Sequence, residues 1–365
     1  MILIVSHYTK NKGTTDFLLD YLKFRKLPYM YLRHPFYSEN IRFSELLYWN
    51  GKNEKTILKI WKINNPILVL AEDFLISLFV SIKLRKNVDK VLTFGGFNFF
   101  PFIFFNSFFK RKLYYWGVDY SIKRFESNAL NRLYHYFETV ACKFSVLAIQ
   151  LTPRQEKARV KRHGLDRHKS LILPSGVNFI SLNKKTSPNQ IALLYIGSIS
   201  QQHGIVDFIK YFYVNNRLPY KLYIFGGGER EQELKKTISK HSLSKEIIYF
   251  GVKNQNEIKQ FVLDSNNKLF GLAPYDMKKN DHVYYGDSIK LKEYLSYDIP
   301  FITSKVAYVY PDIKKFGFVY DDFGNLNDFF NKSIYNFQFN KIEKDGILQN
   351  YLWRNIFDKL YPYLK

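Results

Sequence analysis

The chain has 365 residues, 46% apolar and 24% charged, too long for one ordinary core, so two domains of roughly 150–200 residues are expected. Its single cysteine, Cys142, excludes a disulfide framework and a cysteine-based metal cluster and favours a reducing compartment. The formal net charge of +23 is uneven, with 29 Lys+Arg against 13 Asp+Glu in residues 1–175 and 26 against 19 in 176–365; such a field attracts anionic partners, whether nucleic acid, phospholipid headgroups or phosphorylated small molecules.

The N-terminal "MILIVSHYTKNKG" has no basic leader and no small-residue cleavage site, so it reads as a first strand and points to a cytosolic address. "GTTDFLLDYLKFRK" follows, with Phe17, Leu18 and Leu22 on one helical face. Further strands are predicted at "YMYLRHPF", "ILVLA", "KVLTFGG", "KLYYWGVDY" and "VLAIQLT", and Leu130, Leu133, Phe137, Ala141 and Phe144 keep helical spacing before the last of these. This is the rhythm of parallel β-α-β units.

Residues 95–112, "GGFNFFPFIFFNSFFKRK", set eight phenylalanines between a Gly pair and a basic triplet. As a helix, Phe97 to Phe109 would be about 20 Å long, short of a ~30 Å hydrocarbon core, and Pro101 and Asn106 interrupt it, which excludes a membrane span. A crossover helix is predicted instead. Its phase puts Phe97, Phe100, Phe104 and Phe108 on the sheet, and Phe99, Phe102 and Phe109, beside Lys110, Arg111 and Lys112, against an anionic bilayer.

"LPSGVNFISLNKKTSPNQ", residues 173–190, gathers turn formers and reads as a linker. The expected division is 1–180, 181–347 and a C-terminal amphipathic helix, 348–365, packing near the interdomain region, with Leu352, Ile356 and Leu360 at i, i+4 and i+8. Beyond the linker the alternation restarts: "IALLYIGSIS", "YKLYIFGGG", "IIYFGV", "KLFGLAPY" and "IPFITS" are predicted strands separated by helices. The fold class is α/β, two doubly wound Rossmann-like domains facing a cleft.

Open α/β sheets bind ligands beyond the carboxyl ends of their strands, where glycine lets backbone approach a phosphate. Gly13, Gly95–Gly96, Gly197 and Gly226–Gly228 stand at such places. None has G-x-G-x-x-G spacing, so a dinucleotide-dependent dehydrogenase is not supported. The stretch "GDSIKLKEYLSYDIPFI", residues 286–302, is the most informative. Gly286 to Ile289 lead into a helix whose first amides can hold a phosphate, Lys290 adds a charge in the first turn, and Glu293 follows on the same face, where a carboxylate can accept from a vicinal diol such as ribose. His7 and His34, near strand ends, read as hydrogen-bonded structural residues.

These motifs resemble the nucleotide-sugar-binding domain of GT-B glycosyltransferases, specifically the group 1 or family 4 type of bacterial surface-glycan synthesis. "LLYIGSISQQHGIVDFIKYF", "KLYIFGGGEREQELKK", "IIYFGVKNQNEIKQF", "LFGLAPY" and "DSIKLKEYLSYDIPFITS" follow the family order from Leu193 to Ser304. Upstream, "YYWGVDYSIKRFESNALNRLYHYFETVACKFSVLAIQLTPRQEKAR" is similar to an acceptor-domain segment. The resemblance implies catalytic roles for Asp119, Lys290 and Glu293. It implies a donor site from Gly13, Gly197, Ser198, His203, Gly227, Lys253, Tyr275, Ser288 and Ile289, and acceptor contacts from Gly96, Tyr120 and Arg124.

It also implies a UDP- or GDP-linked sugar as substrate, no separate cofactor, retention of configuration and a lipid-linked or glycan acceptor at an anionic membrane surface, with the protein cytoplasmic and peripheral. Two departures stand out: Ser198 and His203 replace an Arg and a Lys of many relatives, and Tyr285 replaces the first Glu of an E-x(7)-E pair. No D-x-D motif is found and Asp321–Asp322 reads as a solvated turn, so no metal site is assigned. The alternatives are a catalytically degenerate partner subunit, motivated by the missing Arg/Lys pair, and a nucleic-acid-binding protein. Against the latter, the charge is dispersed and no RNP1, helix-turn-helix or zinc-finger pattern occurs.

Overall fold

The computed structural model describes residues 1–8, 13–35, 42–63, 65, 68–182, 190–276 and 281–365. Part of the predicted linker, 183–189, lies outside them. The chain forms two units, Met1–Ser175 with Trp353–Lys365, and Gly176–Leu352.

In the first unit the strands are β1 (Ile2–Tyr8), β2 (Tyr29–Pro35), β3 (Phe43–Trp49), β4 (Glu54–Trp61), β5 (Lys90–Phe94), β6 (Lys112–Gly117), β7 (Leu147–Gln150) and β8 (Ser170–Ile172). They run in the order β4-β3-β2-β1-β5-β6-β7-β8. All neighbours are parallel except β3, which pairs antiparallel with β2 and β4. The central strands carry unbroken apolar runs, as strands covered on both faces must: Leu3, Ile4 and Val5 are fully buried. The β3–β4 pair was not predicted. Charged and apolar residues mix in both strands, and β4 is largely exposed at the sheet edge.

The predicted strand "ILVLA" is a correction: its described part enters a helix, Val69–Lys83. A short apolar run does not by itself distinguish the two structures. What decides is the continuation, where Ile76, Val80 and Leu84 recur every four residues and are all buried.

The phenylalanine segment is a second correction. Instead of one crossover helix it forms a turn of helix at Gly96–Phe99, a 3-10 turn at Phe100–Phe102 and a second helical turn at Asn106–Phe109. Pro101 sits in the 3-10 turn, and the backbone stays right-handed helical from Phe99 to Ile103, so Phe99 and Phe102, three residues apart, still share a face. It is that face, not the opposite one, that is buried: Phe99 and Phe102 are at 0% and 1% exposure, whereas Phe104 and Phe108 are 52% and 81% exposed. Arg111, assigned to the surface by its basic neighbours, is also buried, its guanidinium donating to Val88 O, Ser81 Oγ and Ser81 O.

The predicted helical spacing falls in the Asn128–Phe144 helix, but Leu130, Leu133 and Phe144 face outward while Asn131 and Glu138 are buried with Ala141 and Cys142. The terminal helix starts at Trp353 and belongs to the first unit. Ile356, Phe357 and Leu360 share a core with Leu18 and Leu22, Trp353 stacks on Phe17 at 4.8 Å, and Tyr21 donates to Asp358 at 2.6 Å.

The second unit has β9 (Gln190–Ile196), β10 (Lys221–Phe225), β11 (Ile247–Gly251), β12 (Asn267–Ala273), β13 (Phe301–Ser304) and β14 (Gly317–Tyr320), in the order β11-β10-β9-β12-β13-β14. All are parallel. Counted within the unit this is the 3-2-1-4-5-6 order of a doubly wound nucleotide-binding sheet, with the reversal of strand order between β9 and β12.

The corrected packing gives a measurable contrast. Phe99→Ala should cost about 3–5 kcal/mol of stability, and Phe108→Ala no more than about 0.5 kcal/mol, by denaturant unfolding followed by circular dichroism.

Candidate active-site residues

The carboxyl ends of β9 and β12 flank the switch point of the second sheet, and the helix that packs there is Ile289–Ser296. Its Tyr294 hydroxyl donates to Leu272 O of β12 at 2.9 Å and accepts from Ile196 N–H of β9 at 3.0 Å, so one side chain fixes the helix to both strands. At the start of the helix, buried Lys292 pairs with buried Asp287 at 2.5 Å. That pair holds the Gly286–Ser288 turn in place.

Lys290 is thereby aimed at the loop after β9. Its Nζ is buried without a hydrogen-bond partner among the described residues, 4.8 Å from the centroid of the Tyr195 ring and 5.5 Å from that of Tyr275. A Cβ on Gly197 (φ +146°) would lie 2.3 Å from this Nζ, and one on Gly226 (φ +143°) 1.9 Å from Gly197 O. Only glycines let the loops after β9 and β10 close on each other and on the ammonium. Gly197 N–H donates to Phe225 O, and Ile199 N–H to Gly227 O, both at 2.9 Å.

Burial pushes Lys290 down to about 7, with Glu293 opposing the shift. His203, its Nδ1 2.7 Å from Ser200 Oγ, is driven to about 3 by burial and by the Lys290 charge, so it is neutral near pH 7. Ser288 Oγ and the Tyr275 hydroxyl are 2.6 Å apart. Glu293 accepts from the Tyr297 hydroxyl at 3.2 Å; burial raises its carboxyl above the usual range, while Tyr297, Lys290 and Gln255 pull it back.

Gly197, His203, Tyr275, Ser288, Lys290 and Glu293 thus gather at one place, with Gly227 in the adjoining turn. Ser198 is exposed and offers its carbonyl to Tyr195, and Ile289 is 40% exposed at the helix start. Lys253 points to the surface and pairs with Glu257 at 2.8 Å. Gly13 lies in the first unit as the N-cap of the Thr14–Phe24 helix, its N–H on Asp16 at 2.8 Å. Gln255 was missed. Its signal was the Asn254–Glu257 capping box, which starts the Gln255–Asp264 helix and places Gln255 beside Glu293 and Tyr297.

In the first unit Asp119 follows β6 with its residue exposed, and its carbonyl accepts from Arg159 Nη2 at 2.8 Å. Arg159 is fully buried, with Nε 2.9 Å from Glu138 Oε2 and Nη1 2.6 Å from Gln150 Oε1. Glu138 also accepts from Gly96 N–H at 3.2 Å and from the Tyr115 hydroxyl at 2.6 Å. The loops after β5 and β6 are therefore tied to one buried ion pair that pattern reading did not find.

Tyr120 turns inward, its ring centroid 5.1 Å from Arg159 Cζ. Arg124 is exposed over the Tyr134 ring at 5.4 Å, on a segment whose amides are held by Asn131 Oδ1 at 2.8 and 2.9 Å. His34 is a core residue hydrogen-bonded to Ser44 and Ser77. His7 reaches Asp73, a buried carboxylate that also pairs with Lys62 at 2.5 Å.

Two doubly wound sheets, with polar groups and close-packed glycines at the switch point of the second, define a protein of the GT-B class. Residues 179–355, just under half of the chain, match the family described as glycosyl transferases group 1, which marks the protein as a glycosyltransferase. Across nearly the whole chain the fold is similar to three solved structures. The lipopolysaccharide outer core galactosyltransferase WaaB has 14% identity and a TM-score of 0.69, with 99% of this chain and 97% of that one covered. Sucrose-phosphate synthase from Thermosynechococcus elongatus has 12% identity and a TM-score of 0.70, with coverage of 100% and 98%. Anabaena HepE in complex with UDP has 14% identity and a TM-score of 0.65, with coverage of 100% and 99%. No curated protein matches the sequence significantly.

The unpartnered ammonium has a pH signature. Folding lowers the Lys290 pKa from 10.5 to about 7, so its cost to stability is fully present below about pH 7 and is relieved as pH rises toward 10.5, where the unfolded chain ceases to bind the extra proton. Lys290→Met should therefore stabilise the ligand-free protein at pH 6 and lose that advantage above about pH 10, in urea unfolding curves recorded at both values.

Proposed function

We propose that this protein transfers a sugar from a nucleoside-diphosphate donor to a growing, lipid-linked surface glycan, with retention of configuration and without a metal ion. The observation that carries the reading is the buried ammonium of Lys290, without a hydrogen-bond acceptor among the described residues and walled by the Gly197 turn. A group in that state gains most from a ligand that brings negative charge. As the bond from the anomeric carbon to the diphosphate breaks through an oxocarbenium-like state, Lys290 and the first amides of the Ile289–Ser296 helix meet the charge that develops on the leaving phosphate.

Glu293, oriented by Tyr297 and Gln255, accepts from the ribose diol. Neutral His203 and Tyr275 line the same place, with Ser288 fixing Tyr275. Asp119 orients the acceptor hydroxyl or stabilises positive charge at the anomeric centre, from a turn that Arg159 holds. Gly96, Tyr120 and Arg124 shape the acceptor side through their loops.

The acceptor is read as membrane-borne because the first unit exposes large apolar side chains on two adjoining elements. Leu75 and Phe79 of the Val69–Lys83 helix are 61% and 50% exposed, alongside Phe104 and Phe108, and the Phe74 and Phe104 rings meet at 5.7 Å. Lys83 and Lys110 stand in the same stretches, which suits an anionic bilayer. No helix among the described residues is long and apolar enough to span a membrane.

Thermal-shift screening against UDP- and GDP-sugars, then transfer to a polyprenyl-diphosphate sugar, tests the activity. Lys290→Ala should lower kcat/KM by about 10²–10³ and abolish the thermal shift; an unchanged variant would refute the assignment. For the membrane contact, Phe79→Ser with Phe108→Ser should abolish co-flotation with phosphatidylglycerol vesicles while leaving transfer to a soluble acceptor intact. Undiminished flotation counts against that surface.

A further inference from the structure

A cavity of about 430 Å³ in the first unit is lined by cationic side chains from three separate elements: Lys123 after β6, Arg132 on the Asn128–Phe144 helix and Arg162 on the Pro153–His163 helix. None of its lining residues is acidic. Lys123 pairs with Glu126 at 3.1 Å, whereas Arg132 and Arg162 make no ion pair among the described residues. His135 also lines it. Its Nε2 lies 2.9 Å from Ile122 O, which ties the ring to the cavity wall. An anion entering the cavity would meet two guanidinium groups without an ion pair among the described residues, able to bind phosphate in forked pairs.

Two further observations narrow the ligand. Ile122, in the cavity wall, is three residues beyond Asp119, so the two backbones are at most about 11 Å apart. The same helix that supplies Arg132 exposes Leu130 and Leu133 at 44% and 43%, so the cations border an apolar surface. We propose that this cavity binds the phosphate or diphosphate of the acceptor, with the lipid that carries it lying along the exposed leucines and the acceptor sugar directed toward Asp119. The proposal rests on the lipid-linked acceptor reading above. It also gives a role to Arg162, whose basic surroundings, residues 157–169, the donor chemistry leaves unused.

The test is direct binding by isothermal titration to full-length protein carrying Lys290→Ala, which removes the donor-side diphosphate contact, with farnesyl diphosphate and inorganic diphosphate as probes. Arg132 and Arg162 are exposed, so Arg132→Gln with Arg162→Gln should fold normally. It should weaken farnesyl diphosphate binding by about tenfold or more, and inorganic diphosphate should bind less tightly than the farnesyl compound. Unchanged farnesyl diphosphate affinity in the double variant would overturn the site. Equal affinity for the two probes, both weakened by the substitutions, would support an anion cavity and overturn the lipid part. Because no transfer step is read, absence of transfer with every donor would count against the proposed activity and leave the cavity's assignment standing.

Discussion

The seating of Lys290 is the constraint on which the second unit's site depends. A lysine ammonium drawn out of water without an acceptor costs the folded state a few kcal/mol, as its depressed pKa records. Three features hold it there. Tyr294 bonds to both strands at the switch point, the Lys292–Asp287 pair pins the preceding turn, and the Gly197 and Gly226 backbones close where no side chain would fit. The desolvation cost is local and the anchors surround it.

The first unit is organised by a different buried charge. Glu138 and Arg159 are both inaccessible, and such a pair is rarely retained for stability alone because desolvation offsets its attraction. Here the two side chains satisfy Gly96 N–H, the Tyr115 hydroxyl, the Gln150 amide oxygen and the Asp119 carbonyl. One ion pair sets the position of two loops at the carboxyl end of the sheet. That task explains why the inner face of the Asn128–Phe144 helix is polar and why its leucines are left outside.

Much of the second unit was legible because its signals are local. Strand-length apolar runs alternate with helices, glycines punctuate the strand ends, and Lys290 and Glu293 lie three residues apart on one helix face. Ser198 and Lys253 lie in that pattern too, yet one side chain is exposed and the other joins a surface ion pair. Gln255 came to the site through a capping box that has no chemical signature. In the first unit the phenylalanine segment shows the limit of periodicity: spacing groups Phe99 with Phe102 and Phe104 with Phe108, but which group is buried is set by the elements that pack on it. The β3–β4 pair escaped notice because an edge hairpin with mixed polarity has no clean period.

The sequence by itself determined the α/β class, two Rossmann-like units and the identity of the charged residues near the strand ends, since chain-local patterning and spacing encode all of these. Only the tertiary structure decided which of those charges are stripped of water and partners. Burial and pairing depend on residues far apart in the chain: Glu138 with Gly96 and Arg159, Tyr294 with Leu272 and Ile196, Lys290 with Gly197. It also decided that the terminal helix completes the first unit's core, because its partners, Phe17 and Tyr21, lie at the opposite end of the chain.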